Sequence, residues 1–380
     1  MDISLIKMKI DEIEIRCVKL DLVNPFETSF GRFVDRHPII VKLKSEGMVS
    51  YGEAPTLIGP FYTSETTESA FHILRDYIAP VIIRKEIKSP EDLHNRLSFI
   101  KGNYIAKSGI DTALCVMLAQ ERDESLSKFL GGNKDKIAVG VSVGIQRDEK
   151  GKMSIDKLVE IVGRYIEESY QRIKLKIKPG YDIEPVKAIR NAYGNVPLQV
   201  DANSSYTLSD IKIFRELDKY NLILIEQPLA YDDIVDHRKL QSKINTPICL
   251  DESIETLDDA RKAIELGSTK IINIKLARVG GLYHAVLIHN YCQDKNIPVW
   301  CGGMVESAIG QSHAIALASL PNFIFPADIG PSERYFVDDF IRPFISLEKG
   351  YMNVPQKPGL GFEINEDFLE KATFKKVIIN

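Results

Sequence analysis

Residues 198–203 read LQVDAN, 222–228 LILIEQP, 247–253 PICLDES and 271–277 IINIKLA. Each short aliphatic run closes on a charged side chain: Asp201, Glu226, Asp251 and Lys275. The four stand about one strand-plus-helix unit apart, which predicts parallel strands alternating with helices around an eight-unit (β/α) barrel. In such a barrel the residue that ends a strand stands at the rim where active sites form. A carboxylate there loses hydration and gains nothing from packing, so three in register repel one another unless a positive charge lies between them. Asp201, Glu226 and Asp251 are therefore read as ligands of a hard divalent cation, Mg²⁺ (or Mn²⁺), which takes oxygen donors and keeps sites for water and substrate. A helix N-cap is the ordinary reading of one Asp after a strand, but it does not account for three in phase.

Counting outward, strand ends fall near Ser142, Lys176, Asp201, Glu226, Asp251, Lys275, Trp300 to Gly303, and Asp328, which makes eight. The second run, RIKLKIKPG (172–180), puts Lys174, Lys176 and Lys178 on one face by the two-residue period. One face of a barrel strand is interior, so these lysines are either the solvated lip of the strand or catalytic ammonium groups. Lys275, closing an apolar run on the far side of the barrel, favours the second. Two lysines then face each other across the metal site, and burial with a like charge nearby predicts that each loses its proton near neutral pH. Two amine bases beside an electrophilic metal suit proton abstraction alpha to a carboxylate.

The chain has 380 residues, 44% of them hydrophobic, enough for one large core and a smaller second one. A net charge of −4 and a pI near 6.1 give no basic excess, so no nucleic-acid or membrane partner is expected and a small-molecule substrate is. No run reaches the roughly 20 apolar residues of a membrane span, and the start lacks a signal peptide's apolar core, so a cytoplasmic protein is expected. Five scattered cysteines without a CxxC pair read as reduced thiols: Cys115 and Cys249 as core, Cys301 nearer the chemistry but without a partner histidine motif.

The segments 10–22 and 37–54 alternate apolar and polar residues as antiparallel strands do, and 69–85, 89–100 and 109–122 turn to helical spacing, with Ser89-Pro90 as N-cap and first-turn residue. An α+β module over 1–135 follows, joined by LGGNKDK (130–136) to a barrel over 136–340, with the tail 341–380 returning to the first module. VNPFETSFGRF (23–33) and PTLIGPFYTSET (55–66) read as loops. Their aromatic residues Phe26, Phe30, Phe61 and Tyr62 form either a lid over the site or packing between the domains.

The order KxK, Asp, Glu, Asp, Lys resembles the enolase superfamily in its muconate-lactonizing subgroup. More narrowly, KLKIKPG, LQVDAN, IEQPL, CLDES, NIKLARVGG, PVWCGGMVES and ASLPNF resemble the o-succinylbenzoate synthases that shade into N-acylamino acid racemases. The resemblance runs over nearly the whole chain and implies an α/β fold: a modified TIM barrel, (β/α)7β, with an N-terminal α+β capping domain. It implies Asp201, Glu226 and Asp251 as the Mg²⁺ ligands, Lys176 as the base and Lys174 as the neighbour that keeps its pKa low. Lys275 becomes the second lysine, and Ser142, Asn203, Gly302, Gly303 and Met304 become pocket residues. Gly302-Gly303 as a plain turn and Asn203 as a helix cap stay open beside that. PADIGPSERYF (326–336) lacks the Asp-x-Asp of similar dipeptide epimerases, leaving Asp328 alone.

The activity implied is Mg²⁺-dependent dehydration of the cyclohexadiene carboxylate precursor in menaquinone biosynthesis through an enediolate. The alternative is racemisation of N-acyl or N-succinyl amino acids. Homo-oligomeric assembly is expected for a barrel of this kind. A Schiff-base aldolase built on Lys275 leaves three carboxylates unused, and a non-catalytic barrel leaves the whole constellation unused.

Overall fold

A computed structural model of the chain describes residues 8–27 and 31–380. At its centre is a curled parallel sheet of seven strands: β1 (Val141–Val143), β2 (Ile173–Lys176), β3 (Leu198–Asp201), β4 (Ile225–Glu226), β5 (Ile248–Leu250), β6 (Ile271–Ile274) and β7 (Val299–Cys301). Each pairs with the next in chain order, and each pair brackets a helix, from Ile155–Glu167 after β1 to Leu282–Asp294 after β6. The register sets Lys176 beside Asp201 and Asp201 beside Glu226, so the charged strand ends share one rim.

The eighth unit is an extended segment rather than a regular strand. Ala327 donates to Ala138 O (2.9 Å) and accepts from Gly140 N (2.8 Å), while Asp328 N donates to Cys301 O (2.9 Å), which closes the barrel between β7 and β1. Pro326, just before, has no N–H to extend the ladder.

The capping sheet is antiparallel, with Glu12–Val18, Ile39–Ser45 and Met48–Ala54 joined at one edge by Thr373–Ile379 from the C-terminus. The tail also touches the barrel floor, where Tyr351–Asn353 pairs with Lys136–Ala138. Helix Tyr104–Glu121 is buried from Ile105 to Ala119, with its few polar side chains there bonded inward: Lys107 to Ile100 O (2.6 Å), Thr112 to Ser108 O (2.8 Å) and Asp111 to the barrel. It lies directly on the sheet: a Cβ on Gly52 would stand 2.1 Å from Gly109 O and 2.6 Å from Ala113 N.

Within the expected loop at 23–33, the described residues 23–27 and 32–33 are strand instead. Leu20–Glu27 and Arg32–Arg36 form an antiparallel hairpin in which Phe26 pairs with Phe33. Its aromatic and β-branched residues outweigh the single Gly and Pro that suggested a loop. Phe30 falls outside the described residues.

Cap and barrel are joined through helix N-termini. Glu53, ending a cap strand, accepts from Ser307 N (3.1 Å), Gly310 N (2.9 Å) and the Ser307 hydroxyl at the start of Ala308–Ala318. Asp111, in the buried cap helix, accepts from Leu282 N and Tyr283 N at the start of Leu282–Asp294. Both carboxylates meet unpaired N–H groups and the positive end of a helix dipole. Among the described residues no helix is long and apolar enough to cross a membrane.

Replacing Gly52 by Val forces the helix off the sheet and costs about 1–3 kcal/mol. Denaturant unfolding should show a lower midpoint with an unchanged slope, and an unchanged midpoint would refute the close approach.

Candidate active site

Strand β2 delivers two lysines to the barrel interior. Lys174 Nζ lies 2.7 Å from Asp328 Oδ2, 3.3 Å from Glu226 Oε2 and 3.6 Å from Asp201 Oδ2. Lys176 Nζ, two residues nearer the rim, donates to Asp201 Oδ2 (2.6 Å) and Asn203 Oδ1 (2.8 Å). From β6, Lys275 Nζ donates to Asp251 Oδ2 (2.7 Å) and Tyr62 OH (3.0 Å). Asp201, Glu226 and Asp251 are fully buried, and the three lysines nearly so.

A ring of neighbours fixes these groups. Asn273, in β6, donates from Nδ2 to Glu226 Oε1 (2.7 Å), and Gln199, in β3, to Glu226 Oε2 (3.4 Å). Gln227 Oε1 accepts from Asp251 N (3.0 Å), and Asn203 N donates to Asp201 Oδ1 (2.9 Å). Arg278, one helical turn past Lys275, pairs with Asp251 Oδ1 and donates to Ile254 O (2.9 Å) and Asn273 O (2.6 Å). Below them the Trp300 ring carries both Lys174 and Arg172 at 4.8 Å from its centroid. Its N–H donates to Cys249 Sγ (3.2 Å).

The electrostatics follow from this pairing. Burial opposes the charge on Lys174, but Asp328, Glu226 and Asp201 together outweigh it and hold the ammonium well above its ordinary range. Lys275 is raised in the same way, against burial, chiefly by Asp251 and Tyr62. The expectation that burial and like charge would free Lys275 of its proton therefore reverses in this arrangement, because each buried lysine has gained a carboxylate partner that strand spacing does not reveal. Glu226 is pushed up to about 7 by burial and by Asp201. Glu252, which accepts from Asn203 Nδ2 (2.9 Å), is pushed up to about 8 by burial and by Asp251 and Asp201.

Five basic side chains, Arg172, Lys174, Lys176, Lys275 and Arg278, thus answer the buried carboxylates at this rim. Among the described residues no three His, Cys, Asp or Glu side chains form a ready-made metal cluster, and lysine or arginine contacts all three carboxylates. The donor set nevertheless fits a hard divalent cation in kind: oxygen donors from three adjacent strands, buried, with Glu226 raised by burial and by the neighbouring carboxylates.

Lys176, Asn203, Lys275, Gly303 and Met304 line one narrow cavity of about 80 Å³, with Phe26, Phe33, Leu57 and Tyr62 of the cap across it. The hairpin and the 55–66 segment are thus part of the pocket wall. Tyr62 is held there because Glu65 accepts from Ile105 N (2.8 Å) and Ala106 N (2.9 Å), pinning its segment to the cap helix. Phe61 points outward, half exposed. Ser142 lines the adjoining cleft of about 610 Å³ instead, which shares Phe26 and Val305 with the smaller cavity. Gly302 is absent from both linings, because a Cβ there would collide with Asn273 Oδ1 at 2.3 Å. Its absent side chain makes room for the residue that holds Glu226.

Sequence reading missed Arg278, Asn273, Gln227 and Trp300. Only Arg278 left a trace, as the position three after Lys275 in KLAR. Cys301 is fully buried, and burial raises its thiol, so it offers no nucleophile.

Residues 10–131 match the mandelate racemase/muconate lactonizing enzyme N-terminal domain family, and 157–368 the enolase C-terminal domain-like family. The chain is 43% identical to an o-succinylbenzoate synthase of Bacillus subtilis (strain 168), over 97% of this chain and 98% of that one. It is 41% identical to an N-succinylamino acid racemase of Amycolatopsis sp, over 98% and 100%. A crystal structure of an enolase superfamily member from Listeria innocua Clip11262 superposes with a TM-score of 0.93 at 38% identity, covering 98% and 99%. A dipeptide epimerase from Cytophaga hutchinsonii, solved with Mg and the dipeptide D-Ala-L-Val, superposes with a TM-score of 0.89 at 27% identity, covering 98% and 100%.

Lys174→Met leaves Asp328 and Glu226 buried without their nearest counter-charge and should cost about 3–5 kcal/mol of stability. Thermal unfolding of Lys174→Met and of Lys174→Met/Asp328→Leu checks this. The double variant should recover part of the loss, and a single variant as stable as the parent would show that the pair contributes little.

Proposed function

The chain belongs to the enolase superfamily, in its mandelate racemase/muconate lactonizing enzyme family, and on that premise we propose that it is an o-succinylbenzoate synthase. The observation that carries the reading is the cavity lined by both Lys176 and Lys275, each bonded to a carboxylate of the rim, Asp201 and Asp251. Asp201, Glu226 and Asp251 would hold Mg²⁺ (or Mn²⁺), which supplies charge neutralisation at the substrate carboxylate so that the adjacent C–H becomes acidic.

Lys176 Nζ takes the alpha proton of the cyclohexadiene carboxylate. Asn203, bonded to both Lys176 and Glu252, fixes the direction of the amine. Lys174, the neighbour on the same strand face, is held charged by Asp328, Glu226 and Asp201. Lys275, on the opposite wall, stabilises the negative charge of the enediolate through its ammonium. The C–O bond then breaks, the proton on Lys176 leaves with the hydroxyl as water, and the ring becomes aromatic. The cap side chains Phe26, Phe33, Leu57 and Tyr62 exclude water from the cavity. We extend the proposal to menaquinone biosynthesis in the cytoplasm and to a homo-oligomeric assembly.

A second reading, N-succinylamino acid racemase, is favoured by one feature: both lysines reach the same cavity from opposite sides, so each could exchange a proton with one face of the same carbon. The deciding experiment measures o-succinylbenzoate formation from its cyclohexadiene precursor with Mg²⁺ and with EDTA, beside racemisation of an N-succinylamino acid. Chelator-sensitive synthase turnover is expected. Racemisation alone would transfer the assignment to the second reading.

Lys176→Ala should lower turnover at least about a hundredfold while Mg²⁺ still raises the melting temperature. Near-parental rates would remove Lys176 as the base. Asp251→Asn should lower metal affinity and rate together, and an unchanged Mg²⁺ titration would take Asp251 out of the ligand set.

A further inference from the structure

Among the described residues Arg36, a buried cation in the wall of the lysine cavity, makes no salt bridge. Arg36 ends the cap hairpin, is only 5% exposed, and lines the same cavity as Lys176, Lys275 and Asn203. Its Nη2 donates to Met304 O (2.8 Å) and Pro55 O (3.3 Å), while Nε finds no acceptor. Among the described residues its acidic neighbours Glu306, Glu53 and Asp35 act on it only through space. Glu306 is occupied with Met304 N (2.8 Å), and Glu53 with Ser307 and Gly310. Burying a guanidinium without a counter-ion is costly, and backbone carbonyls alone repay little of it.

The walls between Arg36 and the lysines include the apolar side chains of Phe26, Phe33, Leu57 and Met304. A ligand that matches this lining carries one carboxylate at the lysine and carboxylate rim, a short uncharged linker, and a second carboxylate at the guanidinium. We propose that Arg36 pairs with the remote carboxylate of a dicarboxylate substrate and so determines specificity for the succinyl group. The proposal rests on the functional reading above, and it deepens both branches, because o-succinylbenzoate and N-succinylamino acids share a terminal succinyl carboxylate. Arg36 also explains why a cap strand takes part in recognition: its bond to Met304 O ties the seventh-strand loop to the hairpin, so one side chain binds the tail and orders the wall around it.

The test is equilibrium binding, which needs no turnover. Isothermal titration of the full chain with Mg²⁺ compares o-succinylbenzoate with 2-butanoylbenzoate, which lacks only the remote carboxylate. The parent should favour the dicarboxylate by about tenfold or more, the scale of one charge-assisted contact in a covered site. Arg36→Met should bring the ratio close to one, and Arg36→Lys should retain part of it. A parent ratio near one, or a ratio that survives in Arg36→Met, overturns the proposal. An equal loss of affinity for both ligands in Arg36→Met, with the ratio intact, would assign Arg36 to the Met304 and Pro55 contacts alone and likewise overturn it. If Arg36→Met does not fold, Arg36→Lys carries the test, and an undiminished ratio there rejects the bidentate contact. Preference without product formation would sink the synthase reading and leave Arg36 standing, whereas turnover with an unchanged ratio does the reverse.

Discussion

Charge compensation inside the barrel mouth is the constraint on which the rest depends. Asp201, Glu226, Asp251 and Asp328 are buried at or beside strand ends, where each would be prohibitively costly alone. The chain meets them with Lys174, Lys176, Lys275, Arg172 and Arg278, so that the acidic and basic side chains alternate around the rim. Most of these pairs join different strands, so the pairing also fixes strand register: a slip of one residue would turn Lys174 and Lys176 out of the barrel. The features that make the site reactive therefore also specify the fold around it.

The arrangement divides the lysines by depth. Lys174 faces three carboxylates and the Trp300 ring and has no approach to the cavity, so it serves as a fixed charge. Lys176 and Lys275 each share one carboxylate and one neutral partner and open onto the cavity. Two residues of strand, about 7 Å, separate the enclosed Lys174 from Lys176, which opens onto the cavity from the same face. A cation bound by the carboxylates would compete with both cavity lysines for the same oxygens.

The barrel was legible because its signal is periodic. LQVDAN, LILIEQP, PICLDES and IINIKLA repeat one design, and the structure puts their charged ends on one rim. The eighth strand was legible in position but not in kind, since Pro326 interrupts a ladder that the spacing alone suggests. Residues 23–33 read as a loop because Pro25 and Gly31 are punctuation in most contexts, whereas Phe26 pairs with Phe33 there. Within the site, the lysines and carboxylates announced themselves as charges in apolar runs. Their supports did not: Asn273, Gln227 and Trp300 are ordinary residues at ordinary strand positions, given meaning only by what stands opposite. Gly302 shows the same limit, a pocket residue by position that acts by leaving space for Asn273.

The two domains contribute different kinds of group. Every carboxylate and lysine of the rim comes from the barrel, where strands hold each within hydrogen-bond range of a fixed neighbour. The cap supplies Phe26, Phe33, Arg36, Leu57 and Tyr62, from a strand pair and the segment after the next cap strands. What keeps the cap seated is a pair of carboxylates, Glu53 and Asp111, at the N-termini of the helices that follow β7 and β6. These are the strands that deliver the Met304 loop and Lys275. Docking of the cap and alignment of one cavity wall therefore share the same helix ends, so a change in cap seating must be felt at Lys275 and Met304 before it reaches Lys176 on the far side. A fold of this design can alter which ligand it accepts by substitution in the cap while the lysines and carboxylates of the barrel stay in place.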